Sequence, residues 1–317
     1  MFSLRRSILA GALLTTLVAG CASVTVTSIT PPPATPLAPA NPSRAGSAPA
    51  ASAGLPSFAH VYVIVLENEA YGSLVGSPKA PYLNGLIAGY GLATSYDGVA
   101  HPSQPNYLAL FSGSTQGVTD DSLHNIAAAN LADQLDAHGK TWRVYAQDYP
   151  GGCFTGETSS GTVDATGSPG TYARKHNPAI SFTDIATNPS RCAQISDLST
   201  FDPGAASFEL IVPNECNDMH SCPVSTGDAF LRAFVPRITS SPAFAGSVLF
   251  ITTDEGTTNT GGGGQVATIV ASPMVHAGFT SPAPYDHYSL LRTIEDSWGL
   301  GCLGQACAAT DMAAFFR

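Results

Sequence analysis

Ser103 sits between two prolines in "HPSQPNYLALFSG", residues 101–113, just ahead of an apolar run. A proline ring holds φ at about −65°, so the serine is carried in a stiff turn. Two roles fit that position. Ser103 could cap the helix of "PNYLALFSG", with Pro105 at an early helical position. The same place also meets the unpaired N–H groups of a helix N-terminus, which favour an anion, so the hydroxyl could be a nucleophile. Asn106, three residues on, could donate to a phosphate oxygen.

Three acid or amide pairs close apolar runs elsewhere in the chain: Glu67-Asn68, Asn217-Asp218 and Asp254-Glu255. Any one pair reads equally well as a cap or a solvated loop charge. Gathered together, carboxylates repel and raise each other's pKa unless a cation neutralises them. Hard oxygen donors suit a divalent metal ion, and a metal-bound serine hydroxyl loses its proton more readily and can attack phosphorus. The histidines divide into two groups. His101 lies two residues before the serine, and His220 follows Asp218 between Cys216 and Cys222. His287 is in the first turn of a helical pattern, and His176 lies in "RKHNP" between the cations Arg174 and Lys175 and the amide Asn177. His60, His124, His138 and His276 lack polar company and read as structural or surface residues.

To matter, these side chains must be delivered to one place. "HVYVIVLEN" (60–68), "SVLFITTDEG" (247–256), "SFELIVPNECNDMH" (207–220), "KTWRVYAQD" (140–148) and "QVATIVAS" (265–272) read as buried strands. "NIAAANLADQLDAHG" (125–139) and "DHYSLLRTIEDSWGLG" (286–301) have helical spacing and glycine stops, the second with Asp286 as N-cap. Strands alternating with helices imply an α/β fold whose mostly parallel sheet is covered on both faces. Ligands of such sheets bind beyond the carboxyl ends of the strands, where the three pairs fall. The run "NTGGGG" (259–264) lacks the lysine of a phosphate-cradling loop and reads as a flexible hairpin or lid connection.

The chain has 317 residues. Residues 1–20 read as a secretion signal, and "VAGC" resembles a lipobox that would make Cys21 a lipidated N-terminus. Residues 21–54 are rich in Pro, Ala, Ser and Thr and read as a tether, leaving residues 55–317 as one domain. Loss of Arg5 and Arg6 leaves 11 basic against 23 acidic residues, a net charge near −12. Without a basic run, nucleic acid is not an expected partner, and an anionic substrate calls for a local cationic device. Six cysteines besides Cys21 form an even set suited to export. Proximity favours Cys216–Cys222 and Cys302–Cys307, and elimination then favours Cys153–Cys192, among fifteen formal pairings.

"LENEAYGSLVGSPKAPYLNGL", "HPSQPNYLALFSG", "YAQDYPGGC", "KHNPAISF", "PNECNDMHSC", "TTDEG" and "YDHYSLLRTIED" together resemble the bacterial and fungal phosphoesterase family of acid phosphatases and phospholipases C. The resemblance runs in family order from about Phe58 to Phe316. It implies an alkaline-phosphatase-like three-layer α/β/α sandwich that hydrolyses phosphate monoesters or diesters, phospholipids among them, through a phosphorylated serine beside one or two divalent metals. On that resemblance Ser103 is the nucleophile and Asn106 a phosphate contact. Glu67, Asn68, Asp254, Glu255 and Asp218 hold metal, with glutamate in place of a family histidine favouring Ca, Mg or Mn over Zn. His287 or His220 protonates the leaving group, and His101, His176, Asn177 and Asp148 contact substrate.

Two other readings stay open on the residues alone. A sulfatase-type hydrolase would need an arginine that "PSQPN" lacks. A non-catalytic surface lipoprotein binding metal or glycan would not need Ser103, Asn106 and Asp254 together.

Overall fold

The computed structural model describes residues 54–163 and 169–316; the signal-like segment, Cys21 and the tether up to Ala53 lie outside them. In chain order the elements begin with β1 (Val61–Leu66), α1 (Tyr71–Leu74), α2 (Pro81–Gly89), β2 (Gly91–Ala93), β3 (Tyr96–Asp97), α3 (Ser103–Ser112) and α4 (Leu131–Ala137). They continue with β4 (Trp142–Ala146), β5 (Thr158–Val163), β6 (Pro169–Ala173), α5 (Thr183–Ala186), α6 (Pro189–Cys192), β7 (Ile195–Asp197) and β8 (Phe208–Val212). The last are α7 (Val224–Thr239), β9 (Val248–Thr253), β10 (Thr268–Ala271), β11 (Phe279–Ser281), β12 (Tyr285–Asp286) and α8 (His287–Trp298).

The main sheet has the order β11-β2-β10-β9-β1-β8-β4-β7. β9, β1, β8, β4 and β7 run parallel. β10 is antiparallel to both β9 and β2, while β11 is parallel to β2, so β10 alone is reversed in this sheet. β10 departs from the parallel series because no helix lies between it and β9, and a parallel return needs such a crossover. The three-layer architecture follows from alternation along β1. Val61, Val63 and Val65 pack into one core with Leu108 and Phe111 of α3 and Leu290, Leu291 and Ile294 of α8. Tyr62, Ile64 and Leu66 point the other way, into a second core with Leu231, Val235 and Ile238 of α7. Each fully buried aliphatic side chain in these layers contributes about 1.5–3 kcal/mol.

Asp286 caps α8, its Oδ1 accepting from Ser289 N at 2.9 Å, and Gly299 ends the helix at φ +64°. The helical pattern of residues 125–139 is realised only from Leu131, where Asn130 and Asp133 form a reciprocal capping box. The glycine-rich run is packed against backbone rather than free. A side chain at Gly262, which has φ +109°, would place its Cβ 2.3 Å from the Val99 carbonyl. That run therefore supports the segment leading into Ser103. Three disulfides join Cys153–Cys192, Cys216–Cys222 and Cys302–Cys307, the favoured pairing. The neighbouring strands β9, β1 and β8 thus deliver Asp254, Glu67 and the loop carrying Asp218 to one edge of the sheet.

Candidate active site

α3 starts at Ser103, with Pro102 as its N-cap and no side-chain cap bond, so Ser103 does not cap its helix. Its hydroxyl instead donates to Glu67 Oε2 at 3.0 Å, and both residues are almost fully buried. Tyr107, one turn further along α3, donates from its hydroxyl to Glu67 Oε1 at 2.7 Å. Asn68 adds an amide contact to Glu67 Oε2 at 3.2 Å, while its backbone N–H donates to Asp254 Oδ1 at 3.0 Å. That backbone is left-handed, φ +55°, a conformation asparagine tolerates better than most residues. Ser103, Glu67, Asn68 and Asp254 therefore form one contiguous group.

His176 is buried beside it, its ring stacked on Tyr107 with 5.2 Å between centroids. Its Nε2 lies 3.1 Å from Glu67 Oε1 and its Nδ1 3.4 Å from Asp218 Oδ2. Neither contact has hydrogen-bond alignment, so Nε2 of His176 and Oδ2 of Asp218 lack partners, as does Asp254 Oδ2. Burial, then the Asp254 and Asp218 charges, push the Glu67 carboxyl well above its ordinary pKa. Burial and then Glu255 raise Asp254, and burial and then Glu215 raise Asp218. Burial and the cations around it hold the His176 ring well below its ordinary pKa. Crowded acids beside a neutral imidazole are an arrangement that favours a bound cation.

Other expected site residues take different places. Asn106 is committed to its own loop: Oδ1 accepts from Val99 N and Ala100 N at 2.8 and 3.1 Å, and Nδ2 donates to Ala100 O and Pro102 O at 2.9 and 3.3 Å. Its amide thus shapes the turn before Ser103 rather than facing substrate. His287 is buried, with Nε2 2.5 Å from the Asp254 carbonyl and Nδ1 3.1 Å from Tyr96 Oη, so both ring nitrogens are engaged away from the Ser103 hydroxyl. Glu255 pairs with His101 Nδ1 at 2.5 Å, and His101 Nε2 reaches Thr258 O at 2.9 Å. Asp218 adjoins the group through its backbone, its carbonyl accepting from Glu67 N at 2.8 Å, while its carboxylate faces the His176 ring. Asp148 accepts from Asn214 Nδ2 at 2.7 Å, and Asn177 donates to Tyr172 Oη at 3.3 Å, so both brace neighbouring loops. His220 is exposed, its Nε2 3.5 Å from Lys175 Nζ and its ring 5.9 Å from that of His176.

Residues 77–301 match the phosphoesterase family. The chain belongs to that family. This phosphoesterase is 32% identical over 261 residues to the phosphatidylinositol-3-phosphatase of Mycobacterium tuberculosis, covering 82% of this chain and 83% of that one. It is 28% identical to an acid phosphatase of Aspergillus fumigatus, covering 78% of this chain but 57% of the longer fungal protein. These relatives make it a hydrolase of phosphate esters. Its fold is that of the alkaline phosphatase superfamily. A member from Vibrio parahaemolyticus superposes with a TM-score of 0.50 at 14% identity, covering 80% of this chain and 69% of that one. The lipoteichoic acid synthase LtaP of Listeria monocytogenes superposes with a TM-score of 0.55 at 9% identity, covering 82% and 76%.

That superfamily generally uses divalent metals. Among the described residues, no three His, Cys, Asp or Glu side chains already form a metal cage. The donor chemistry nonetheless fits a hard cation. Glu67 Oε2 accepts from the Ser103 hydroxyl, Asn68 links Glu67 to Asp254, and Asp254 Oδ2 is buried with nothing to accept from. Two residues that the motifs did not single out also hydrogen-bond to expected site residues, Tyr107 to Glu67 and Tyr96 to His287. Tyr107 lies four residues after Ser103, a spacing that puts both on one helix face, and that spacing could have pointed to it. Tyr96 has no comparable local signal.

Proposed function

We propose that this phosphoesterase cleaves phosphate esters through a phosphoserine on Ser103, aided by a divalent metal held by Glu67, Asn68 and Asp254. The observation that supports this most is the Ser103 hydroxyl aimed at Glu67 Oε2, 3.0 Å away, from a helix it does not cap. Bound there, a divalent ion would neutralise the crowded carboxylates and lower the pKa of the Ser103 hydroxyl. The hydroxyl proton leaves along its bond toward Glu67 while Oγ attacks phosphorus. The Ser103 Oγ–P bond forms and the P–O bond to the alcohol breaks. His220, the exposed imidazole of the two expected to act as acid, gives the departing alkoxide its proton. Water then attacks the phosphoserine, releasing phosphate and restoring the hydroxyl.

Tyr107, Asn68 and Asn106 position these atoms. Tyr107 and Asn68 fix the Glu67 carboxylate, and Asn106 fixes the backbone of residues 99–102. Purified wild-type protein should hydrolyse nitrophenyl phosphate, lose that rate to a chelator, and regain it on adding Mg, Mn or Ca. Ser103→Ala should fold normally and show at least ~1000-fold lower kcat. His220→Ala should slow alkyl phosphates more than the nitrophenyl ester, whose leaving group needs no proton. A Ser103→Ala enzyme with wild-type rates would refute the proposal.

The leader and Cys21 support export and lipid anchoring, with residues 21–54 as the spacer to a membrane. Among the described residues no helix is long and apolar enough to cross one. The mass of the mature N-terminal peptide should equal a diacylated Cys21; an unmodified cysteine there, or a start elsewhere, would remove the anchor.

A further inference from the structure

The "RKHNP" segment carries two cations with different fates. Arg174 is buried and spent on the scaffold: its guanidinium donates to Thr155 O, His124 O and Asn125 Oδ1 at 3.1, 2.9 and 2.9 Å. Lys175 remains at the site. Its Nζ donates to Asp121 Oδ2 at 3.2 Å and lies 3.5 Å from His220 Nε2. The other oxygen of Asp121 accepts from Gln104 N at 2.9 Å, the residue directly after Ser103. On its C-terminal side, Lys175 is followed by His176, which lies against Glu67. One short path of hydrogen and covalent bonds thus leads from this ammonium group through Asp121 and Gln104 to the nucleophile, and the next residue in the chain packs against Glu67.

Lys175 also borders open space. It lines a cavity of about 190 Å³ together with Asp121, Leu123, Glu157 and Glu215. Its positive charge partly offsets the rise in pKa that burial imposes on Glu67, Asp218 and Glu255. A lysine serving only as a surface ion-pair partner of Asp121 would contribute little, about 0–1 kcal/mol. This one is largely shielded from solvent, with its side chain 17% exposed, and its Asp121 partner is bonded to the residue after Ser103.

Resting on the phosphoserine reading above, we propose that Lys175 binds a non-bridging oxygen of the substrate's phosphoryl group, exchanging Asp121 for it, and so makes the site favour doubly charged monoesters over singly charged diesters. The diester's second substituent replaces the oxygen that Lys175 would contact and removes one negative charge. A monoester therefore gains a charge-assisted bond that a diester forgoes. Asp121 keeps the ammonium group in place between turnovers and, through Gln104 N, keeps it in register with α3.

The test compares nitrophenyl phosphate with bis(nitrophenyl) phosphate on wild-type, Lys175→Gln and Lys175→Arg proteins, with melting temperatures measured alongside. Lys175→Gln should lower kcat/KM for the monoester by about 10–100-fold and for the diester by no more than about threefold, the range of one lost charge-assisted hydrogen bond. Lys175→Arg should recover part of the monoester rate. On the wild-type protein, inorganic phosphate should inhibit at least ~10-fold more tightly than dimethyl phosphate, a comparison that needs no variant. Equal losses on both substrates, no loss on either, or equal inhibition by the two anions would overturn the role of Lys175 while leaving the phosphoesterase reading intact. Wild-type protein that cleaves neither ester would instead overturn that reading.

Discussion

Glu67 illustrates how one carboxylate can be read by several neighbours at once. Ser103, Tyr107 and Asn68 all donate to it, and the His176 ring lies against it. Ser103, Glu67, Asn68 and Asp254 were legible because each stands at the edge of a strand or helix that the hydropathy pattern reveals. Asn106 was legible as important but not in its role. Its partners are backbone groups of residues 99–102, and which way an amide turns depends on how that loop folds. Tyr107 offers the sharper test of the group's geometry. Tyr107→Phe removes one hydrogen bond to Glu67 and keeps the stacking on His176. It should lower kcat by about tenfold with KM little changed, as expected when a positioning bond to a charged group is lost. A steady-state comparison on nitrophenyl phosphate reads this directly, and an unchanged kcat would detach Tyr107 from catalysis.

Among the elements, α8 joins the site to the core. Its first residue, His287, reaches the Asp254 carbonyl, and further along Glu295 is buried, with Oε1 accepting from Leu303 N at 2.8 Å and Oε2 unpartnered. Burial raises the Glu295 pKa from its ordinary 4.5 to about 8. The folded state therefore binds a proton that the unfolded chain releases near 4.5, and its contribution to stability falls as pH rises between about 4.5 and about 8. Glu295→Gln keeps an acceptor for Leu303 and removes this dependence. Its melting temperature relative to wild type should rise by several °C more at pH 8 than at pH 5, since each pH unit over which only the folded state holds the proton costs about 1.4 kcal/mol, roughly 2–4 °C in a domain of this size. Equal differences at the two pH values would place the Glu295 titration elsewhere. The pattern of α8, including its Asp286 cap and Gly299 stop, was readable because local hydrogen bonds set both ends. The reversed direction of β10 was not, since an apolar run looks the same in either orientation.

At the scale of the molecule, the chain is a three-layer sandwich whose sheet collects chemistry at one edge, as β-branched strands alternating with helices imply. The disulfide pairing also followed from spacing, because two of the bridges close short loops. Less legible was how the charge is distributed. The net negative chain places Arg174 in the scaffold and leaves Lys175 as the ammonium group beside the carboxylates, a division that depends on packing rather than on the neighbouring letters. The proposed chemistry begins at the Ser103 hydroxyl, which Glu67 holds, and the covalent intermediate is the most direct evidence for its role. Protein acid-quenched during turnover of a phosphate monoester, then digested and analysed by mass spectrometry, should carry one phosphate on the peptide containing Ser103, and none in the Ser103→Ala variant. Steady turnover in quenched samples with that peptide unmodified, or with the phosphate on another residue, would contradict the account.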